Sequence, residues 1–278
     1  MRSPAWRRFL RHRAGVAGLI MFLCLGLAAL AAPLIAPYAA DHFDLSASLV
    51  PPSRVHWFGT DPIGRDIFSR CIYGARISLT IGLVSVGIGL LLGLPAGAIA
   101  GFAGGWVDRF LMRGVDIMLA FPTILLAIII ISIFGPGLRN AMLAIGIAQT
   151  PIYIRVTRSS VLKVREELYV DAARATGTPE WAILFRHVVP NALHPITVQA
   201  SLNLASAILS AAYLGFLGLG AQPPTPEWGN MLSKGRDFLR VAPHASIFPG
   251  LFIVVAVMSL NLIGDGLCYA LDPKFTQR

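Results

Sequence analysis

Charged residues are scarce in this sequence, and so are cysteines. Of its 278 residues only 13% are charged, whereas 55% are hydrophobic. Soluble domains carry about 25% charged residues, so this composition indicates a membrane domain rather than soluble domains. The three cysteines, Cys24, Cys71 and Cys268, are far apart and have neither CxxC nor Cys/His metal-binding spacing. They are interpreted as small apolar residues in or near helices, and no metal site is predicted.

Motifs of nucleotide and hydrolytic chemistry are also missing. The chain has no Gly-x4-Gly-Lys-[Ser/Thr] phosphate loop, the motif whose backbone N–H groups hold nucleotide phosphates. Its histidines lack the spacing found in metalloproteases and deaminases. The chain is therefore not expected to hydrolyse ATP alone, and no catalytic residue and no cofactor bound by this chain are predicted.

Long apolar runs take up most of the sequence. A membrane helix needs about 20 mainly apolar residues, because only a helix or a closed barrel satisfies its backbone in lipid. Six segments meet this requirement: Ala14–Ala36, Ile77–Ala103, Asp116–Phe134, Leu138–Ile154, Ile196–Gly220 and Ser246–Leu271. The fourth is the weakest, since Gln149, Thr150 and Pro151 interrupt it. The sequence predicts an all-α, polytopic membrane bundle of six transmembrane helices.

The basic residues are distributed unevenly between the two sides of this bundle. With six spans, the side that holds both termini carries 15 Lys and Arg residues, and the opposite side carries eight. The positive-inside rule makes the first side cytoplasmic. The net charge of +9 is therefore explained by topology, and no nucleic-acid partner is predicted.

The first apolar segment has two interpretations. Arginines precede it, and Ala29-Leu30-Ala31 resembles a signal-peptidase site, as in a cleaved signal peptide. However, the run is longer than the roughly 7–15 residues of a signal sequence, and five more spans follow. A retained first helix is favoured.

Small residues recur every four positions along the second span: Ser85, Gly89, Gly93, Gly97, Gly101 and Gly105. Positions four apart share one face of a helix, so these residues form a groove that admits another backbone. Prolines at 95, 122 and 151 are expected to kink their spans.

Polar residues within spans are candidates for contact with a transported molecule. Gln199 and Asn203 lie four apart on the fifth span, as do Asn261 and Asp265 on the sixth. Interhelical hydrogen bonding is the competing interpretation. We take Gln199, Asn203 and Asn261 as candidates for the pathway.

The loop between the fourth and fifth spans has strong signals of local structure. Good helix formers fill Glu166–Thr176, and Gly177 suits the left-handed residue that closes a helix. Thr178 is expected to cap a second helix, with Pro179 as its first residue. On this helix one apolar face is predicted, formed by Trp181, Leu184, Phe185 and Val188. Pro190 is expected to stop or kink it.

The residues of this loop resemble a known motif. Asp171-Ala172-Ala173, then Gly177, then Val189-Pro190 resembles the EAA loop of ABC-importer permeases, with the spacing preserved. Asp171 replaces the usual Glu, which keeps the charge with a shorter reach, and His187 and Val189 replace the usual Ile and Leu.

Further segments resemble the C-type subunit of dipeptide, oligopeptide and nickel permeases: Phe58–Arg70, then Leu214–Gly220 followed by Pro226–Gly229, and then Asn261–Leu267 followed by Leu271–Lys274. Within the first, Asp61 followed by Pro62 predicts the start of a short helix. That branch usually has Arg-Asp where Cys268-Tyr269 stands here.

This resemblance implies a type I ABC importer permease fold in the cell inner membrane. Residues 1–76 would form the cytoplasmic tail, first helix and extracytoplasmic segment, and 77–278 the permease domain with a coupling loop at 165–192. The implied partners are a homologous permease subunit, two cytoplasmic ATPases that bind ATP and Mg²⁺, and an extracytoplasmic substrate-binding protein. The residues implied in ATPase coupling are Asp171, Ala172, Ala173, Gly177, Pro179, Trp181, Leu184, Phe185 and Pro190.

The implied cargo is a dipeptide, an oligopeptide, or a related small solute such as glutathione or a nickel chelate. An ion-coupled secondary transporter is the main alternative, which usually shows an internal repeat and midplane ion ligands. An intramembrane hydrolase is a further alternative, although the spans hold no recognisable nucleophile–base pair.

Overall fold

A computed structural model gives the structure of residues 4–271. These residues form the helices α1 Pro4–Arg11, α2 Arg13–Leu30, α3 Ala32–Ile35, α4 Ile67–Ala103, α5 Gly105–Leu119, α6 Thr123–Phe134, α7 Leu138–Arg165, α8 Leu168–Ala175, α9 Glu180–Ile183, α10 Val189–Phe216, α11 Trp228–Gly235 and α12 His244–Leu271. A π-helical turn, Leu184–Val188, joins α9 to α10. The described residues do not include three of the basic residues that contribute to the charge asymmetry, Arg2, Lys274 and Arg278. They also do not include the end of the Leu271–Lys274 segment that carries part of the family resemblance.

The predicted spans correspond to helices of the structure, although one is less apolar than the others. Four helices are long and apolar enough to cross a membrane, namely α2, α4, the continuous helix Glu180–Phe216 and α12, and a fifth is added only if the bent pair of α5 and α6 is counted as one span. The fourth predicted span lies in α7, which has 28 residues but falls below that apolarity because polar residues such as Gln149 interrupt it. The all-α membrane bundle is confirmed, and the count of six spans stays a prediction.

The third predicted span is two helices rather than one. The axes of α5 and α6 are bent by 92°, and the break includes Pro122, whose backbone precedes the first turn of α6. Proline lacks the N–H group that would continue the helix, so the expected kink at Pro122 becomes a break. By contrast, Pro95 and Pro151 lie inside α4 and α7 without ending them.

The small-residue stripe of α4 packs directly on α7, which is the most extensive helix pair of the bundle. A Cβ atom placed on Gly93 would lie 2.5 Å from the Cβ of Tyr153, and one on Gly97 would lie 2.5 Å from the carbonyl oxygen of Ile154. The predicted groove is therefore present. Gly105 is the exception, because nothing lies within 4 Å of its Cβ position.

Helix α2 packs along α12 through small residues. A Cβ on Gly15 would lie 2.9 Å from the Cα of Gly266, and one on Gly18 would lie 2.6 Å from the Cβ of Leu262. Further along α2, Leu25 and Ala29 are buried in the main hydrophobic core. The first helix thus forms part of the packed bundle.

The segment before α4 differs from the sequence prediction, because no helix begins at Asp61. The Asp61 carboxylate instead accepts hydrogen bonds of 3.0 Å from the backbone N–H groups of Ile63 and Arg65, and Gly64 takes a left-handed φ of 77°. These bonds close a tight turn. The helix cap is Asp66, which accepts from the Ser69 N–H group at 2.8 Å.

Helix α4 consequently begins at Ile67, ten residues before the predicted start at Ile77. The predicted domain boundary between residues 76 and 77 falls inside this helix. That division of the chain stays a prediction.

The loop before α12 is anchored to the start of α4. The indole nitrogen of Trp228, a fully buried side chain, donates a hydrogen bond of 2.9 Å to the carbonyl oxygen of Cys71. A Cβ on Gly74 would lie 2.5 Å from the carbonyl oxygen of Pro226. This contact fixes residues 217–243 to the end of the bundle that is opposite the 165–192 loop.

Candidate functional site

The first half of the 165–192 loop is a short helix with a well-defined end. Helix α8 is followed by Gly177, which has a left-handed φ of 77°. The Thr178 N–H group donates to the Ala173 carbonyl at 3.1 Å, and the Gly177 N–H group donates to the Arg174 carbonyl at 2.9 Å. This pair of bonds is the Schellman motif. The predicted role of Gly177 as the helix stop is confirmed.

The second helix starts one residue later than predicted. Pro179 precedes α9 in an extended conformation, and its carbonyl accepts from the N–H groups of Ala182 and Ile183. Pro179 is thus the cap position and not the first helical residue. The Thr178 side chain does not cap the helix; its hydroxyl lies 3.4 Å from that of Thr176.

The two helices of the loop are joined by an ionic bridge. Arg174 Nη1 donates to Asp171 at 3.3 Å, and Arg174 Nε donates to Glu180 at 3.1 Å. All three side chains are well exposed. Because exposed ion pairs contribute only about 0–1 kcal/mol, this bridge adds little, and the two helices are held mainly by the turn at Gly177 and by the buried cluster that includes Val170 and Leu184.

The apolar side chains predicted to share one face are divided between two environments. Leu184 and Val188 are buried against α7 and α8 residues such as Val161 and Val170. Trp181 and Phe185 instead remain 68% and 64% exposed. The single-face prediction was wrong because Leu184 and Val188 are needed to fix the loop to its own bundle.

The structure also adds an exposed apolar side chain that the sequence analysis missed. Leu168, at the start of α8, is 85% exposed. The signal available in the sequence was the two-residue spacing of Leu168 and Val170, which places them on opposite sides of a helix, so that only one of them can pack on the bundle. Leu168, Trp181 and Phe185 are called the exposed trio below.

Pro190 was predicted to stop or kink the helix; it does not stop it, and the helix type changes just before it. Proline removes an N–H donor and its ring clashes with the carbonyl four residues earlier. The π-helical turn Leu184–Val188 lies just before Pro190 and widens the backbone there, so the helix continues from Glu180 to Phe216. π turns are common at functional sites.

The small residues of the motif have different surroundings. Asp171 and Ala172 are exposed, whereas Ala173 packs partly against the buried cluster that holds the loop. Exposed Ala172 leaves room for a close approach from outside. The coupling role of these residues, and of Gly177, Pro179 and Pro190, stays a prediction.

The pathway candidates fall into two places. Gln199 donates to the Asn203 side chain at 2.9 Å, and Gln149 of α7 donates to the Asn203 backbone carbonyl at 3.3 Å. Asn203 and Gln149 are buried, which favours interhelical hydrogen bonding for this group. Asn261 instead lines a separate groove of about 330 Å³ among apolar residues of α10 and α12.

Gln149 was interpreted from sequence only as an interruption of a span. In the structure it is one of several buried polar groups on one side of α7. Among residues 4–271, Gln149 Oε1 is buried without a hydrogen-bond partner, and the Tyr153 hydroxyl interacts with the Asn203 side chain. The signal was the four-residue spacing of Gln149 and Tyr153, which places them on one helix face.

Comparisons with known proteins agree with this architecture. Residues 93–277 match the family described as binding-protein-dependent transport system inner membrane component, and residues 3–52 match the N-terminal TM domain of oligopeptide transport permease C. The chain is similar to the dipeptide transport system permease protein DppC of Alkalihalophilus pseudofirmus, with 49% identity over 97% of this chain and 89% of the relative. It is also similar to the glutathione transport system permease protein GsiD of Pectobacterium atrosepticum, with 46% identity over 97% and 90%.

Among solved structures, the inward-facing MetNI methionine ABC transporter has a similar fold. The TM-score is 0.62 with 20% identity, over 74% of this chain and 98% of that chain. The chain belongs to the binding-protein-dependent transport system inner membrane component family. Within this class it is a C-type permease subunit of the dipeptide and oligopeptide branch of ABC importers. It is therefore a multi-pass protein of the inner membrane, and an ion-coupled secondary transporter is not favoured.

Proposed function

We propose that this permease carries short peptides as one half of a heterodimeric pore, driven by two cytoplasmic ATPases that dock on the 165–192 loop. The observation that supports docking is the exposed trio, because Leu168, Trp181 and Phe185 are 85%, 68% and 64% exposed on a loop that is otherwise fixed to the bundle. Large apolar side chains left uncovered in this way mark interaction sites.

The proposed cargo is a short peptide, with glutathione-like molecules included. Relatives of nearly equal similarity, 49% and 46% identical, are named for dipeptide and glutathione transport. These molecules share an amide-linked backbone with a free carboxylate. An extracytoplasmic binding protein would select among them and deliver the peptide to the pore.

The proposed orientation places both termini and the 165–192 loop in the cytoplasm. The basic residues support it, since 15 lie on this side and eight on the other. A cysteine at Thr178 should then be labelled only from the cytoplasmic side, and a cysteine at Ser48 only from outside, in a background without the three native cysteines. Labelling of both from one side would contradict the orientation.

The transport activity can be tested with the complete complex in proteoliposomes. We expect ATP-dependent uptake of a labelled dipeptide that needs the partner permease, both ATPases and the binding protein, and we expect the ATPases to co-purify with this chain. ATP and Mg²⁺ are expected on those subunits, and the isolated chain should not hydrolyse ATP. Uptake by the isolated chain under an ion gradient would support secondary transport instead.

A further inference from the structure

A small charged cavity lies at the end of the bundle opposite the 165–192 loop. Its volume is about 30 Å³, enough for one or two waters or a single small ion. The lining comes from residues 61–70 on one side and from α11 and its neighbours on the other. Its charged lining residues are Asp61, Arg65, Arg70 and Lys234. Three cationic side chains and one carboxylate therefore line the cavity.

The two arginines compete for that carboxylate. Arg65 Nε lies 2.6 Å from Asp61 Oδ2, and Arg70 Nε lies 3.9 Å from the same oxygen. Arg70 is only 3% exposed. Its Nη1 atom donates to the neutral carbonyl oxygens of Ala40 and Pro224, at 2.6 Å and 3.4 Å. The charge of Arg70 is thus only partly compensated.

One donor of Arg70 is also left over. Within residues 4–271, Arg70 Nε is buried without a hydrogen-bond acceptor. Asp41 is exposed and contributes a weaker attraction than Asp61. A buried charge without a full partner strongly destabilises a fold. A water molecule in the cavity would accept a hydrogen bond from Arg70 Nε but would not neutralise the charge of the guanidinium. An anion would provide both the hydrogen-bond acceptor and the compensating negative charge.

We propose that this cavity binds one small monovalent anion, either chloride or a single carboxylate group, between Arg70 and Lys234. Lys234 is exposed at the edge of the cavity, so it can admit the ion while Arg70 holds it. Because Arg70 belongs to α4 and Lys234 to α11, the ion ties the start of α4 to the loop before α12.

The test uses the full chain in detergent at constant ionic strength. Thermal unfolding is followed in sodium chloride, sodium acetate and sodium gluconate. We expect a saturable rise of several degrees in the midpoint with chloride or acetate and none with gluconate, which is too large for the cavity. A rise with chloride identifies a halide site, and a rise with acetate alone identifies a carboxylate site. Equal midpoints in all three salts would overturn the proposal.

Three variants connect the effect to this cavity. Lys234→Ala should weaken the anion affinity several-fold, while Arg240→Ala, which removes an exposed charge of the same loop, should leave it unchanged. Asp61→Asn keeps the oxygen that accepts from Ile63 and Arg65 but removes the competing charge, so the affinity should rise several-fold. If Lys234→Ala and Arg240→Ala behave alike, or if Asp61→Asn does not increase the affinity, the cavity is not an anion site.

Discussion

Arg174 and Glu180 face each other across the turn at Gly177, and Arg174 Nε donates a hydrogen bond of 3.1 Å to the Glu180 carboxylate. The same guanidinium holds Asp171. The turn at Gly177 and the buried contacts of Val170 and Leu184 define the shape of the loop within this chain, so its exposed side chains lie on an already folded surface.

Replacing Gly177 by valine should uncouple ATP hydrolysis from uptake. Nothing lies within 4 Å of the Cβ position, so no clash occurs, but the φ of 77° is unfavourable for a β-branched residue by about 1–3 kcal/mol. The turn should change shape while the bundle stays folded. We expect ATPase activity to persist in the reconstituted complex while dipeptide uptake falls at least tenfold.

Thr178→Val is the matched control, because it introduces valine at the residue after Gly177, where φ is not positive. It should leave uptake close to that of the parent chain. Normal uptake in the Gly177 variant would show that the turn geometry does not matter for coupling.

Alanine at Trp181 or Phe185 should weaken association with the ATPases without unfolding the chain. Both side chains are mostly exposed, so little packing is lost, and an exposed anchor of an interface is often worth about 2 kcal/mol or more of binding. Pull-down of the ATPases by the tagged chain measures the effect. Trp57→Ala, at a 55% exposed tryptophan on the side of the bundle opposite the 165–192 loop, should have no effect.

Leu184→Ala should lower the stability of the chain, unlike alanine at Trp181 or Phe185. Leu184 is 8% exposed and packs in the cluster that fixes the loop, so its loss should cost about 2–5 kcal/mol of stability. A lower thermal midpoint is the expected readout. An equal fall of the midpoint in Trp181→Ala and Leu184→Ala would contradict the finding that Leu184 is buried in the loop and Trp181 is exposed.

A leucine at Gly93 should destabilise the bundle far more than a leucine at Gly87. A Cβ at position 93 would lie 2.5 Å from the Cβ of Tyr153, whereas nothing lies within 4 Å of a Cβ at position 87. Overpacking of this kind costs about 1–3 kcal/mol or more. Thermal unfolding in detergent compares the two, and equal midpoints would refute close packing of α4 on α7.

The stability of the chain should contain a pH-dependent contribution from Glu227. This side chain is 1% exposed, and burial raises its pKa above the ordinary 4.5, against the opposing effect of hydrogen bonds from Gly229 and Asn230. The folded chain then binds the proton more tightly than the unfolded chain, so stability falls as the pH rises from about 4.5 through the folded pKa, by up to about 1.4 kcal/mol per pH unit.

The contribution of Glu227 can be isolated with Glu227→Gln, which has no proton to lose and retains one of the two acceptor oxygens. The difference between the thermal midpoints of the two chains should change over this pH range. A constant difference from pH 4 to pH 8 would mean that Glu227 has the same pKa in both states.

Two features that depend on neighbouring residues were predicted correctly from the sequence, although the local prediction of Thr178 as cap and Pro179 as first helical residue was one residue early. The stop at Gly177 follows from the few residues around it, because only a residue tolerant of a left-handed φ closes a helix in this way. The groove on α4 follows from helical spacing alone. Both were found where the sequence placed them.

Features that depend on distant contacts were not predictable in this way. Leu184 and Trp181 look equivalent on a helical wheel, and only the packing of the loop against Val161 and Val170 separates them. Asp61 and Asp66 are both good caps, and the left-handed turn at Gly64, which packs closely against the backbone of Asp44, decides in favour of Asp66. The pairing of Gln149 with Asn203 joins residues 54 positions apart, which no local pattern reports.

The helix that begins at Glu180 does not end with the loop but runs on to Phe216, a length of 37 residues or about 55 Å. Trp181 sits on its first turn, and Asn203 is about 33 Å further along the same rod. If the ATPases displace Trp181, as proposed, this helix provides a continuous path for the movement toward Asn203. The π turn before Pro190 is the place where the helix is expected to bend, because its hydrogen-bond ladder is irregular there.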